Sequence, residues 1–197
     1  VIGDGLNGGC SIEFHTNGRE ILYITRDDEV WSVDIASGKK RNLKLPFDTE
    51  LNISADGQHL VGRRGSNYCV ELPGTKTRKF ASGCSPCLSP DGQRIAGNEG
   101  GHKTMDIRQW NGKRLFEINA RDMRPDREWD NMHWSNHNDF IAMQGDGDER
   151  DTYAFRVSEN QGTRLSWEGR THYPDLFVSE DLITGKGVDP DMPSERS

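Results

Sequence analysis

A strand-turn-strand unit occurs four times along this chain and restricts the folds that the chain can adopt. In each unit a short apolar run is followed by a turn and then by a second apolar run. The turns are Asn17-Gly18, Asp56-Gly57, Asp91-Gly92 and Asn138-Asp139. Asn-Gly and Asp-Gly readily adopt the positive φ angles that tight hairpins need, so the series predicts repeated β-hairpins.

A second turn recurs in step with the first, 17 to 24 residues downstream. It falls at Gly38, Gly74, Gly112 and Gly162. Strand-like runs lie on both sides of it, such as "VWSVDI" before Gly38 and "RLFEI" after Gly112. Each unit therefore contains four short strands, which is typical of a β-propeller blade. The sequence predicts an all-β propeller of four four-stranded blades.

The stretch "LSPDGQRIAG" resembles the Ser-Pro-Asp-Gly core of TolB-type, WD40-like propeller repeats, and "ISADGQHLVG" is a close variant. The resemblance covers roughly residues 9–178. "HYPDLFV" is similar to "CSPCLS", with Pro174 over Pro86, and indicates the first strand of a fifth blade. In that family the repeat implies the fold and leaves the activity open. Its members are interaction platforms, accessory domains of peptidases or parts of larger secreted proteins, which implies a periplasmic or extracellular location.

The repeats divide the chain into seven parts. These are a lead-in at residues 1–9, blades at 10–47, 48–82, 83–120 and 121–169, a fifth-blade strand at 170–185 and a tail at 186–197. Four blades and one strand leave a ring unclosed and expose sheet edges and apolar faces. We therefore expect a subunit or fragment of a larger assembly, completed by other protein. The first residue is not Met, which favours a processed or truncated product.

Composition excludes two kinds of partner. The formal net charge is −7 and no dense basic patch is visible, so nucleic acid is not expected. No apolar run approaches the roughly 18 residues of a membrane-spanning helix. Neither a nucleophile elbow nor a phosphate-binding glycine loop is present, so the sequence favours a non-catalytic module without settling whether the chain is an enzyme.

The first strand of each blade predicts a channel lining. Two apolar columns, Ile12/Leu51/Pro86/Met132/Pro174 and Phe14/Ile53/Leu88/Trp134/Leu176, enclose a polar one. Side chains alternate along a strand, so the polar column is expected to face the propeller axis. It consists of Glu13, Asn52, Cys87, His133 and Asp175. These groups either line a wet channel or bind a ligand or metal ion through Glu13, His133 and Asp175, with Cys87 nearby.

One mouth of this channel is expected to carry Cys10, Thr49, Cys84, Asp130 and His172. Cys84 and Cys87 form a C-x-x-C spacing but occupy ordinary repeat positions. Structural cysteines, either free or in one or two disulfides, are therefore one interpretation, and metal ligation or redox chemistry are the others.

Three loop features complete the candidates. Asp146, Asp148 and Asp151 resemble part of a calcium loop, but the full EF-hand pattern is missing, which favours a solvated acidic hairpin. His102 follows two glycines at a blade turn, where it is either a ligand-binding group or an exposed turn residue. The long segment before Trp134 predicts a contact with an acidic or sugar partner through Trp129, Arg124 and Arg127.

Overall fold

The computed structural model is built from short antiparallel sheets and contains no helix in the part of the chain that it describes. It describes residues 12–15, 18–99, 101–119, 128–146, 150–167 and 174–179, and only the backbone of Phe14, Asn119 and Asp146. Within these ranges no helix is long and apolar enough to cross a membrane. The predicted all-β class is confirmed.

The strands form four sheets of four strands each, and in every sheet consecutive strands pair antiparallel. The first sheet contains β1 (Ile12–Phe14), β2 (Glu20–Ile24), β3 (Val30–Asp34) and β4 (Lys40–Asn42). The second contains β5 (Thr49–Ile53), β6 (His59–Arg63), β7 (Asn67–Glu71) and β8 (Arg78–Ala81).

The remaining two sheets repeat this order. The third contains β9 (Cys87–Leu88), β10 (Arg94–Glu99), β11 (Thr104–Gln109) and β12 (Arg114–Asn119). The fourth contains β13 (Glu128–Trp134), β14 (Phe140–Asp146), β15 (Thr152–Arg156) and β16 (Gln161–Arg164). Such four-stranded meanders are propeller blades.

The register predicted for the first strands is confirmed by their pairing with the second strands. The four polar-column positions oppose equivalent apolar residues, as the pairs Glu13–Leu22, Asn52–Val61, Cys87–Ala96 and His133–Ala142 show. On the neighbouring column Ile53, Leu88 and Trp134 are all buried. The side chain of Phe14 lies outside the described residues.

Apolar side chains fill the space between successive sheets. Leu22 and Ile24 of the first sheet pack with Leu51 and Ile53 of the second. Val61 and Phe80 of the second sheet share a cluster with residues of the third. A larger cluster joins the third and fourth sheets and consists of Cys87, Ala96, Met105, Ile107, Ile118, Trp129, Met132, Trp134, Ile141, Met143, Tyr153, Phe155 and Val157. The first strands of the second, third and fourth sheets thus turn their apolar columns towards the preceding sheet.

One member of these apolar columns, Ile12, differs from its equivalents in burial. Leu51 and Met132 are 7% and 4% exposed, whereas Ile12 is 51% exposed. The reason is its place in the array, because no described sheet precedes the first one and its outward face has nothing to pack against.

Residues 174–179 lie against the fourth sheet, although they are not assigned to a strand. Asn136 Nδ2 donates to the Val178 carbonyl at 2.9 Å, and the Val178 N–H donates to Asn136 Oδ1 at 2.7 Å. An equivalent contact joins the second and third sheets, where the Ala55 N–H donates to the Pro90 carbonyl at 2.7 Å. Residues 174–179 therefore take the place that a fifth first strand would occupy.

Candidate functional site

Four of the five polar-column side chains form a hydrogen-bonded group, which we call the channel network: Glu13, Asn52, His133 and Asp175. Asn52 Nδ2 donates to Glu13 Oε1 at 3.2 Å and lies 3.4 Å from His133 Nε2. The other ring nitrogen of His133 lies 3.4 Å from Asp175 Oδ1. The alternation of the first strands thus brings residues from separate blades to one place, as the sequence predicts.

The channel network has an unusual carboxyl group in Glu13. Burial raises the pKa of Glu13 to about 7, the hydrogen bond from Asn52 lowers it in part, and the charge of Asp175 raises it further. Asn52 is itself held in place, because the Leu88 N–H donates to its Oδ1 at 2.9 Å. The network is therefore ordered and able to hold a proton near neutral pH.

Cys87 does not take part in these hydrogen bonds. Its side chain is completely buried in the apolar cluster between the third and fourth sheets. Burial raises the pKa of the Cys87 thiol to about 12, so the group is an inert core thiol. The predicted column position is observed, but the side chain turns towards the next sheet.

A second group of polar side chains lies at the predicted channel mouth, and we call Cys84, Ser85, His102 and Asp130 the mouth cluster. Cys84 Sγ lies 3.0 Å from His102 Nε2 and 3.8 Å from Asp130 Oδ1. Ser85 Oγ donates to Asp130 Oδ1 at 2.7 Å. Cys84 is buried, whereas His102 and Asp130 are half-buried.

A ladder of left-handed residues supports this mouth. Glu50, Ser85 and Asn131 have φ angles of 58°, 53° and 47°, and occupy the same position in consecutive blades. The Ser85 N–H donates to Glu50 Oε2 at 3.0 Å, and the Asn131 N–H donates to Ser85 Oγ at 3.2 Å. Non-glycine residues rarely adopt this conformation, and such strain concentrates at functional sites.

The sequence placed Cys84 and Asp130 at one mouth but gave His102 as a separate loop candidate, and it did not indicate that His102 meets them. It also missed Glu50 and Ser85. The available signal was the position of Ser85 inside the C-x-x-C segment, one residue before the apolar column. Cys10 and His172, predicted at the same mouth, lie outside the described residues.

The electrostatics of Cys84 do not favour a nucleophile. Burial raises the pKa of its thiol; hydrogen bonds from Asn98 and Ser85 partly counter this, and the charges of Asp130 and Glu50 add to the rise. A reactive cysteine needs a lowered pKa, because the thiolate is the nucleophile. Cys69, Cys84 and Cys87 are all free and buried, so the disulfide alternative does not hold for these three.

The prediction that Trp129 contacts a partner is wrong. Trp129 belongs to β13, pairs with Gly145 and is completely buried against Tyr153. The fourth sheet begins earlier than the sequence suggests, so this aromatic ring belongs to the core. Arg124 and Arg127 lie outside the described residues.

Of the three aspartates predicted in the acidic loop, only the side chain of Asp151 is described by the structure. Asp151 is buried and forms an ion pair with Arg164, so it is neither a solvated hairpin residue nor an open ligand. Asp148 and the side chain of Asp146 lie outside the described residues.

No family model and no curated protein matches the sequence of this chain. Several solved structures resemble its fold. TolB from Acinetobacter baumannii superposes with a TM-score of 0.62 at 16% identity, over 80% of this chain and 43% of that one. The β-propeller domain of Cps50 (Swd1) from Myceliophteria thermophila gives 0.57 at 16% identity, over 80% and 58%. The fold is a TolB-like, WD40-like β-propeller.

Enzymes share this architecture. Oligogalacturonate lyase from Vibrio parahaemolyticus superposes with a TM-score of 0.60 at 11% identity, over 83% of this chain and 54% of that one. An oligogalacturonate lyase in complex with manganese gives 0.61 at 14% identity, over the same shares. The chain thus spans about half the length of the propellers it matches, and these identities show the fold alone.

Proposed function

We propose that this chain is a non-catalytic β-propeller interaction module that works as part of a larger assembly. Its first and last sheets pack against further β-structure, which completes the ring. The observation that carries the proposal is the exposure of Ile12, whose equivalents Leu51, Pro86 and Met132 are buried by a preceding sheet. Burying such apolar area is favourable by about 25 cal/mol per Å².

The opposite end of the array supports the same proposal. Phe177 and Trp167 are 78% and 70% exposed, beyond the fourth sheet. The matched propellers contain about twice as much chain, so further blades are the natural structure to cover these residues. We also propose a periplasmic or extracellular location, which rests on the TolB resemblance and gains no support from disulfides.

A ligand-binding channel is the second candidate, because the channel network brings ionisable groups of several blades together. A role as an accessory domain of a secreted hydrolase is compatible with either candidate. The raised pKa of Cys84 gives a catalytic thiol no support.

The test is the association state of the chain, measured by sedimentation equilibrium together with binding of a dye for apolar surface. We expect the wild type to self-associate and to bind the dye. Ile12→Lys combined with Phe177→Lys should reduce both signals. Leu115→Lys is the matched control, because Leu115 is also exposed but lies on the outer strand of the third sheet.

A monomeric wild type that binds no dye would contradict the proposal. The proposal would also be contradicted if Leu115→Lys reduced self-association and dye binding as much as the double variant. Such a result would show that any exposed apolar residue, and not a defined face, drives the association.

A further inference from the structure

We propose that the mouth cluster is a binding site for a divalent transition-metal ion of the zinc type. Cys84 Sγ, His102 Nε2 and a carboxylate oxygen of Asp130 are the ligands. Among the residues that the structure describes, these three leave a fourth position for water or a small ligand. These three side chains come from the third and fourth sheets, and their ligand atoms lie within 4.8 Å of one another.

The distances between the ligand atoms fit a tetrahedral ion. Zinc–sulfur and zinc–nitrogen bonds of about 2.3 and 2.0 Å, at a tetrahedral angle, put neighbouring ligand atoms about 3.5 Å apart. The observed separations from Cys84 Sγ are 3.0 Å to His102 Nε2 and 3.8 Å to Asp130 Oδ1. The two separations from the sulfur therefore lie within about 0.5 Å of the tetrahedral value, and the third, from His102 Nε2 to the Asp130 carboxylate, is within 4.8 Å.

The donor types select the class of metal. A thiolate and an imidazole favour zinc and its neighbours among the transition metals, whereas Mg²⁺ and Ca²⁺ prefer oxygen ligands alone. Three protein ligands with one open position are the arrangement of zinc sites that bind water or substrate. The partial exposure of His102 and Asp130 gives the ion a path from solvent.

The surrounding structure holds two of the ligands in position. Asn98 Nδ2 donates to the Cys84 sulfur at 3.6 Å, and the Cys84 carbonyl accepts from the Asn98 N–H and from Asn67 Nδ2, each at 2.9 Å. Ser85 Oγ orients the Asp130 carboxylate. Such contacts to ligand residues are typical of built metal sites.

A backbone contact brings the third ligand to the same place. The Trp129 N–H donates to the His102 carbonyl at 2.7 Å, which fixes the turn before β11 against the start of β13. Since Asp130 follows Trp129 directly, this bond sets His102 beside Asp130. His102 has a φ of 68°, so the turn adopts a costly conformation for a non-glycine residue.

The charge of the site is complementary to a cation. Two carboxylates lie at this mouth, since Asp130 Oδ1 is 3.8 Å from the Cys84 sulfur and Glu50 Oε2 accepts from the Ser85 N–H at 3.0 Å. Arg63 Nε lies 3.9 Å from Glu50 Oε2 and partly neutralises the charge of that carboxylate. A divalent ion between Cys84, His102 and Asp130 would compensate the remaining negative charge.

The experiment uses the whole chain, reduced and freed of metal with a chelator. Zn²⁺ binding is measured by competition with a chromophoric chelator, and Co²⁺ by its absorption spectrum. We expect one ion per chain and, with Co²⁺, a thiolate-to-metal charge-transfer band with strong tetrahedral d–d bands. Mg²⁺ at the same concentration should not compete. His102→Gln and Asp130→Asn should each weaken Zn²⁺ binding at least about tenfold.

Cys84→Ser should remove the charge-transfer band, and Cys69→Ser, which replaces another buried free thiol, should retain it. Glu13→Gln in the channel network should leave Zn²⁺ affinity unchanged. If Cys84→Ser does not fold, His102→Gln decides, because its side chain is half-buried at a turn.

Failure to bind Zn²⁺ stoichiometrically would overturn the proposal. So would binding that survives both His102→Gln and Asp130→Asn, or that is lost in Glu13→Gln. The association state of the chain does not enter these measurements, so the result is independent of the proposed interaction role.

Discussion

The side-chain amide of Asn52 donates to Glu13 Oε1 at 3.2 Å and so joins the first strands of two neighbouring sheets. Burial beside this amide and the charge of Asp175 leave the pKa of Glu13 at about 7, against 4.5 for an ordinary Glu. The folded chain therefore holds this proton more tightly than the unfolded chain does. The relationship links the stability of the channel to pH.

The first prediction concerns that pH dependence. A raised folded pKa means that the contribution of Glu13 to stability is complete below pH 4.5 and is lost as pH rises through about 7. Relative to Glu13→Gln, the wild type should lose up to about 3 kcal/mol of unfolding free energy over this interval. Urea unfolding at several pH values measures the difference. Glu159→Gln, which replaces an exposed carboxyl group, is the control. If the unfolding free energies of wild type and Glu13→Gln change in parallel with pH, the prediction is wrong.

The second prediction concerns the core between the third and fourth sheets. Trp134 is 4% exposed, and its indole N–H donates to the Asn138 carbonyl at 3.1 Å. Trp134→Ala should lower the unfolding free energy by about 3–5 kcal/mol, the range for large buried aromatics. Trp167→Ala, at an exposed position, should change it by less than about 0.5 kcal/mol. Similar losses for the two variants in urea unfolding would show that the register is wrong.

The third prediction concerns the glycine before the mouth cluster. A Cβ at Gly83 would lie 1.9 Å from the Asn98 carbonyl oxygen, which is backbone and belongs to a paired strand. Gly83→Ala should therefore cost about 1–3 kcal/mol, as overpacking does. Gly38→Ala is the control for backbone strain alone, because it has a φ of +68° and open space around it. Thermal unfolding that ranks Gly38→Ala as the more damaging change would refute this account.

The fourth prediction concerns the segment at residues 174–179. Both hydrogen bonds between Asn136 and Val178 use the Asn136 side chain. Asn136→Ala should release the segment, cost about 1 kcal/mol and speed hydrogen exchange at the Val178 amide. Asn111→Ala, in an exposed turn of the third sheet, should leave that amide unchanged. Unaltered exchange at Val178 in Asn136→Ala would mean that other contacts hold the segment.

Much of the fold can be predicted from the sequence, because turn residues and strand alternation are local properties of the chain. The four Asn/Asp-containing turns and the four second turns indicate sixteen strands, and the structure contains them. The period of two along each first strand is likewise sufficient to group Glu13, Asn52 and His133. This alternation repeats in every blade and does not depend on how the blades pack against one another.

Other features depend on packing between sheets, and here the sequence is not enough. The meeting of Cys84, His102 and Asp130 requires a turn of one sheet to lie against the first strand of the next. Bulges at Glu50 and Asn131 shift the register by a residue, and positive φ at such side chains has no reliable signal in sequence.

The same reason explains a difference in burial between Trp129 and Ile12. Trp129 and Ile12 are both apolar residues of first strands, yet one is completely buried and the other is 51% exposed. Composition and alternation assign each residue a face of its strand, and both are evident from the sequence alone. Whether another sheet covers that face depends on how the blades pack, because burial is a property of neighbouring elements and not of the strand alone.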